Sequence, residues 1–135
     1  METKSLHIEG SEFTPDINFD VHGNFIMSGV SRPEDVSKFY EKPINWITKY
    51  KNEILEHAEN KYKYTKIHFV FKMKYFNSAS AKHMLKMMEL LKGFESMGLE
   101  IEIDWFYDES DEQLLEDGQD LSEAVDIPFN FIKMV

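Results

Sequence analysis

Thr65-Lys-Ile-His-Phe-Val-Phe-Lys-Met-Lys-Tyr-Phe76 is the strongest strand signal in the chain. Its apolar residues recur at period two, and aromatic and β-branched side chains suit a pleated, half-buried surface. Ile67, Phe69, Phe71, Met73 and Tyr75 share one face, while Val70 and Phe76 add apolar surface to the other. A strand that is apolar on both faces belongs inside a sheet, not at its edge. It stops at Asn77-Ser78-Ala79-Ser80, and a helix follows to about Met97. Ala81, Met84, Leu85, Met88 and Leu91 keep helical spacing, and Met87, Leu90 and Phe94 widen the apolar sector beyond one stripe. Gly98 stands where a helix end takes a left-handed residue. Leu99, Ile101, Ile103, Trp105 and Tyr107 then alternate with Glu100, Glu102 and Asp104, a second clean strand.

Upstream, Leu6–Glu9 and Asp16–Val21 read as strands. His22-Gly23-Asn24 is a turn and Phe25–Val30 the returning strand of a hairpin. Ser31-Arg32-Pro33-Glu34 fits a capping box with Ser31 as the cap and Pro33 in the first turn. The pattern stays helical to about Ala58, but Pro43 predicts a short helix, a break and a longer helix, because proline lacks a donor and disfavours helix at Lys42. Val36, Phe39 and Tyr40 face inward from the first piece; Ile44, Ile47, Ile54 and one edge of Trp46 and Tyr50 do so from the second. Asn60–Tyr64 is a polar connection. Downstream, Ser110 to Gln113 fits a capping box and Gly118 a helix stop, bounding a short helix that carries Leu114 and Leu115. Ile127–Ile132 is a last strand. This order predicts one α/β domain over residues 1–135, a mixed sheet with an N-terminal antiparallel hairpin and helices packed on it.

The chain has 135 residues, 42% hydrophobic and 14% aromatic, which suits a single globular core. Cysteine is absent, which excludes disulfides, thiolate metal sites and a cysteine nucleophile. The N-terminus has no apolar signal region, and no apolar run reaches the roughly 18 residues of a membrane span. A cytoplasmic protein is expected. Net charge is −10, with its signs segregated. Residues 1–37 carry seven acids against Lys4 and Arg32; residues 38–92 carry twelve lysines against five glutamates; residues 93–135 carry thirteen acids against Lys133. The densest stretch, Asp108–Asp126, holds nine carboxylates and no lysine or arginine. That balance argues against duplex nucleic acid or an anionic membrane as the main partner.

Most catalytic templates fail. There is no phosphate-binding glycine loop, no G-x-S-x-G and no H-E-x-x-H. His7, His22, His57, His68 and His83 show no ligand spacing, so no metal site is expected from them, and no cofactor is implied. A calcium loop beginning at Asp108 would place Gln113 at its sixth position and Gln119 at its twelfth, where glycine and glutamate are needed. Asp108 with Asp111 is an unspecific carboxylate pair. The most informative site is Asn77-Ser78-Ala79-Ser80, where a central strand passes into a helix and ligands and enzymes have access. A hydroxyl there sits beside free N–H groups and the positive end of the helix dipole. A phosphate on it would be locally stabilised and would add nearly two negative charges to an interaction surface. Asn or Ser as an ordinary helix cap is the alternative reading.

Gly29-Val-Ser31-Arg32-Pro33-Glu34-Asp35-Val36, with Phe39-Tyr40 and Pro43-Ile44-x-Trp46, is similar to the opening signature of the SiaC family of bacterial regulatory phosphoproteins. Tyr75-Phe76-Asn77-Ser78-Ala79-Ser80-Ala81-Lys82 resembles the second signature of that family. Asp104-Trp105-x-Tyr107-Asp108, Asp111-Glu112 and Glu116-Asp117-Gly118-x-Asp120 resemble the third, and Ile127-Pro128-Phe129 the close. The resemblance implies a fold related to STAS domains and a non-enzymatic, partner-switching role. It further implies a serine/threonine kinase that modifies the protein, a PP2C-type phosphatase that reverses this, and an unmodified form that binds a target. In the best-known branch that target is a GGDEF diguanylate cyclase, which links the switch to cyclic di-GMP and biofilm regulation. The family's modified threonine falls on Ser78. Ala79 replaces a hydroxyl residue, so Ser80 is the local alternative acceptor. Asn77, Ala79, Ser80, Lys82 and Arg32 are the expected partner-contacting residues. The rival reading is a small enzyme, or a metal or small-ligand binder, using an acidic pocket near Asp104–Asp120.

Overall fold

The computed structural model describes residues 3–56 and 66–135. In chain order they form β1 (Leu6–Ile8), β2 (Asp16–Phe19), β3 (Asn24–Ser31), α1 (Val36–Glu56), β4 (Lys66–Phe76), α2 (Ser78–Ser96), β5 (Glu100–Asp108), α3 (Glu112–Val125) and β6 (Phe129–Met134). The expected helix end near Ala58, the connection Asn60–Tyr64 and the expected strand start at Thr65 lie outside the described residues. The six strands make one sheet in sequence order. β1–β2 and β2–β3 pair antiparallel, and β3–β4, β4–β5 and β5–β6 pair parallel, so the sheet is mixed and β4 lies inside it.

Among the described residues each parallel connection carries one helix, and α2 packs against both α1 and α3. The helices cover one face only. Phe25, Met27, Ile67, Phe69, Phe71, Ile103 and Trp105 are buried on that side, while Ile26, His68, Val70, Glu102, Asp104 and Phe106 on the other stay partly accessible. Because α2 is the middle helix, it needs an apolar sector wider than one stripe: Met84, Met87 and Met88 are all core residues, with no exposure. Its C-terminus closes as expected. Gly98 takes φ +93°, its N–H reaches the Glu95 carbonyl, and the Leu99 N–H reaches the Phe94 carbonyl.

Four local expectations give way to tertiary contacts. α1 runs unbroken through Pro43, because a straight path keeps Tyr40, Pro43, Ile47, Tyr50 and Ile54 in one buried stripe. Burying each such side chain stabilises by roughly 1.5–3 kcal/mol, which together outweighs the ~3 kcal/mol cost of an interior proline. The cap of α1 is Asp35, whose Oδ1 accepts the Lys38 N–H at 3.1 Å; Ser31 instead ends β3 and is buried. The cap of α3 is Asp111, whose carboxylate accepts the Leu114 N–H at 2.9 Å, while Ser110 turns back to bond Asp108. Tyr75 leaves the inner face, at 52% exposure. The β3–β4 register pairs Gly29 with Met73 but Val30 with Tyr75, so Lys74 is an extra residue and the side-chain alternation inverts beyond it. The same inversion turns Phe76 inward, edge-on to Trp105 with ring centroids 5.8 Å apart.

Gly118 is also not a stop. α3 continues to Val125 and presents Gly118 to the Trp105 ring, where an added Cβ would lie 2.5 Å from the indole nitrogen. That nitrogen donates to the Leu114 carbonyl at 3.0 Å. Gly118 is there because the indole must cross that turn of helix to reach its acceptor. The last strand, expected from Ile127, begins at Phe129, after α3 closes on Asp126 with φ 57°.

Candidate functional site

The extended backbone of Asn77 ends β4, and its Oδ1 accepts the Ser80 N–H at 2.8 Å to cap α2. The capping bond is with the third helical residue, so the N–H groups of Ser78 and Ala79 have no acceptor within the helix. Both residues are exposed. The Ser78 hydroxyl therefore stands at the positive end of a 19-residue helix, with its approach open. Replacing Asn77 by Ala is expected to cost about 1 kcal/mol, read as an earlier chemical-denaturation midpoint.

Two residues on, Ser80 is in a different environment. Its exposure is 0%, and its hydroxyl donates to the Ser31 carbonyl at 3.0 Å. The Ser31 hydroxyl donates to Ser80 Oγ at 2.8 Å, which leaves Tyr40 as the donor in the 2.6 Å contact between Tyr40 and Ser31. Burial pushes the Tyr40 phenol up to about 12, against the opposing effect of hydrogen bonding with the Ser31 and Ser80 hydroxyls. This chain of three hydroxyls pins the end of β3 to α1 and to the start of α2. Ser80 thus belongs to the interior and not to the partner-contacting surface on which the sequence placed it.

A cavity of about 310 Å³ opens beside Ser78, lined by Phe76, Asn77, Ala81, Asp117, Asp120 and Leu121. Gln113 donates to Asp117 Oδ1 at 2.8 Å and steadies one of the two carboxylates. Lys82 is exposed one turn beyond Ser78, on the same side of α2. Arg32 follows Ser31, which pairs with Phe76, so it emerges beside Asn77; its guanidinium lies 5.0 Å over the Phe13 ring. The structure thus gathers Asn77, Ser78, Ala79, Lys82 and Arg32 at the C-terminal edge of the parallel strands. It also adds Asp117 and Asp120, which helical periodicity alone could not direct toward Ser78.

The acidic residues from Asp104 to Asp120 are not gathered in one pocket: Asp117 lines a cavity with Asp120 and another with Asp111, and Asp104 lines neither. Trp105 points to the helices, so Asp104 points to the uncovered face of the sheet, whereas Asp117 and Asp120 belong to α3 on the covered side. Asp108 ends β5, its carboxyl held below the ordinary aspartate value by the hydroxyl and N–H of Ser110. At Asp104, burial works to raise the carboxyl, but hydrogen bonds from Asn130 and His68 outweigh it and hold the group low. His68, one of the five histidines without ligand spacing in the sequence, meets Asp104 at 2.8 Å and Glu102 at 3.4 Å. Strand pairing brings these residues together across 36 positions, which ligand spacing could not reveal.

Comparison with known proteins agrees with this architecture. The SiaC family regulatory phosphoprotein profile matches residues 8–134. An uncharacterized protein of Pseudomonas aeruginosa strain UCBPP-PA14 is 26% identical over 125 residues, 92% of each chain. The crystal structure of the diguanylate cyclase SiaD in complex with its activator SiaC, from Pseudomonas aeruginosa, matches with TM-score 0.81 and 25% identity over 96% of this chain and 99% of that one. Apo-SiaC from the same organism matches in fold, with TM-score 0.77 and 24% identity over 98% and 99% of the two chains. Among the described residues no helix is long and apolar enough to cross a membrane. With its sheet order, its strand-to-helix junction and a profile match over nearly its whole length, the chain belongs to the SiaC family of regulatory phosphoproteins.

Proposed function

We propose that this chain is a non-enzymatic phospho-switch whose residues 1–135 act as one regulatory domain, with Ser78 as the modified residue. The observation that carries this reading is the contrast between two serines two residues apart, which the helix turns to opposite sides. Ser78 is exposed at the helix start beside an open cavity, and Ser80 is sealed in a hydrogen-bonded interior. A serine/threonine kinase can reach the first hydroxyl without unfolding anything. Reaching the second would break its bonds with both the hydroxyl and the carbonyl of Ser31.

Phosphorylation at Ser78 changes the surface through charge. The helix start offers free N–H groups and Lys82, which favour an anion locally. Asp117 and Asp120 line the cavity and oppose its entry, so the phosphate stays at the rim, where a partner would dock. Burying that dianion beside two carboxylates carries a large desolvation cost, so the unmodified form is the binding form. A PP2C-type phosphatase restores it. Since the SiaC of Pseudomonas aeruginosa forms a complex with a diguanylate cyclase that it activates, a diguanylate cyclase is the proposed target here. The readout is then cyclic di-GMP and biofilm regulation, in the cytoplasm, where ATP supplies the kinase. Incubation with the cognate kinase and ATP, followed by peptide mass spectrometry, is expected to find one phosphate on Ser78 and none on Ser78→Ala protein. Phosphate on a different residue would overturn the assignment.

A further inference from the structure

The uncovered face of the sheet carries a cluster that the switch does not use. His68 on β4 pairs in register with Glu102 on β5, and Asp104 lies two residues further along the same face. His68 Nε2 is 2.8 Å from Asp104 Oδ2 and 3.4 Å from Glu102 Oε1, and the three donor atoms all lie within 4.8 Å of one another. An ion bound at about 2.0–2.2 Å to each of three such atoms sets them roughly 3–3.5 Å apart, so small side-chain shifts close the site. Asp104 is the most enclosed of the three, and its second oxygen accepts from Asn130 Nδ2 at 2.9 Å. That bond fixes the carboxylate's orientation from the neighbouring strand, as outer-shell partners do at metal centres.

We propose that His68, Glu102 and Asp104 form a binding site for a first-row divalent transition-metal ion on the bare face of the sheet. An imidazole with two carboxylates suits zinc or manganese better than calcium, which prefers an all-oxygen shell. As the ion binds, His68 shifts to its Nδ1–H tautomer, the Nε2 proton passing to solvent while Nδ1 takes one up, and the ion takes the lone pair of Nε2 and one oxygen from each carboxylate. It displaces the His68–Asp104 hydrogen bond and loosens Lys66, whose ammonium sits 3.1 Å from Glu102 Oε1. Three protein donors leave at least one position to water, facing solvent. The site is separate from the switch: His68 to Phe76 is eight residues of strand, about 26 Å at the usual rise. Its test is therefore independent of phosphorylation.

Zinc competition against a chromophoric chelator, using the full chain, is expected to show one ion per chain. His68→Gln and Asp104→Asn should each weaken binding about 100-fold, and Asn130→Ala about tenfold. Circular dichroism of the ion-free variants should show an unchanged fold. Calcium should not compete. Zinc binding of equal strength in His68→Gln and Asp104→Asn would assign the ion to other carboxylates and overturn the proposal. Failure of the parent chain to compete with the chelator would do the same.

Discussion

Ser78→Asp protein is expected to bind its proposed target, a diguanylate cyclase, about tenfold more weakly than the parent, and Ser78→Ala protein to bind within about twofold of it. A tenfold change corresponds to about 1.4 kcal/mol, modest for one buried like-charge contact at an interface. Phosphoserine carries nearly twice the charge of aspartate and three acceptor oxygens, so the kinase-treated protein should lose more, about 100-fold. Titration calorimetry with the purified cyclase checks all three. Since Ser78 is exposed and the capping bond belongs to Asn77, neither substitution should change the unfolding free energy by more than about 0.5 kcal/mol. Equal affinity for the parent and the Ser78→Asp protein would remove Ser78 from the interface.

Gly118→Ala is expected to destabilise the domain by about 2–4 kcal/mol, lowering the thermal midpoint by roughly 10 °C. Ordinarily a mid-helix glycine replaced by alanine gains about 1 kcal/mol. Here the new methyl would lie 2.5–2.7 Å from three atoms of the Trp105 indole, which is fully buried and cannot retreat. Moving the ring would also break its bond to the Leu114 carbonyl. Gly93 supplies the opposite case within α2. A Cβ there meets only the flexible end of Lys51, so Gly93→Ala should stabilise by about 0.5–1 kcal/mol. Thermal unfolding followed by circular dichroism reads both signs, and a stabilised Gly118→Ala protein would contradict the packing described for Trp105.

The chain order of strands and helices follows from periodicity and turn chemistry. The hairpin at Gly23, the helix from Ser78 and its stop at Gly98 all rest on contacts within a few residues, and so are written locally; the interior position of β4 shows locally as apolar residues on both of its faces. The strand-to-helix junction as a candidate site is of this kind too. Where local signals misled, a distant partner had changed the balance. Ser31 looks like a helix cap until Tyr40 and Ser80 claim its hydroxyl. Gly118 looks like a stop until Trp105 needs the space, and Pro43 like a break until the sheet rewards a straight helix.

By itself, then, the sequence determined which segments extend, which coil and where the chain turns, because those preferences act over the 2.0- and 3.6-residue repeats of a single element. Only the tertiary structure decided which of two nearby serines is open and which is sealed. It alone brought Asp117 and Asp120 to Ser78, and joined His68 to Glu102 and Asp104. Those outcomes depend on strand register, on one extra residue at Lys74 and on which face the helices cover. They are set by the sum of burial over the whole core, a quantity no short stretch of sequence contains.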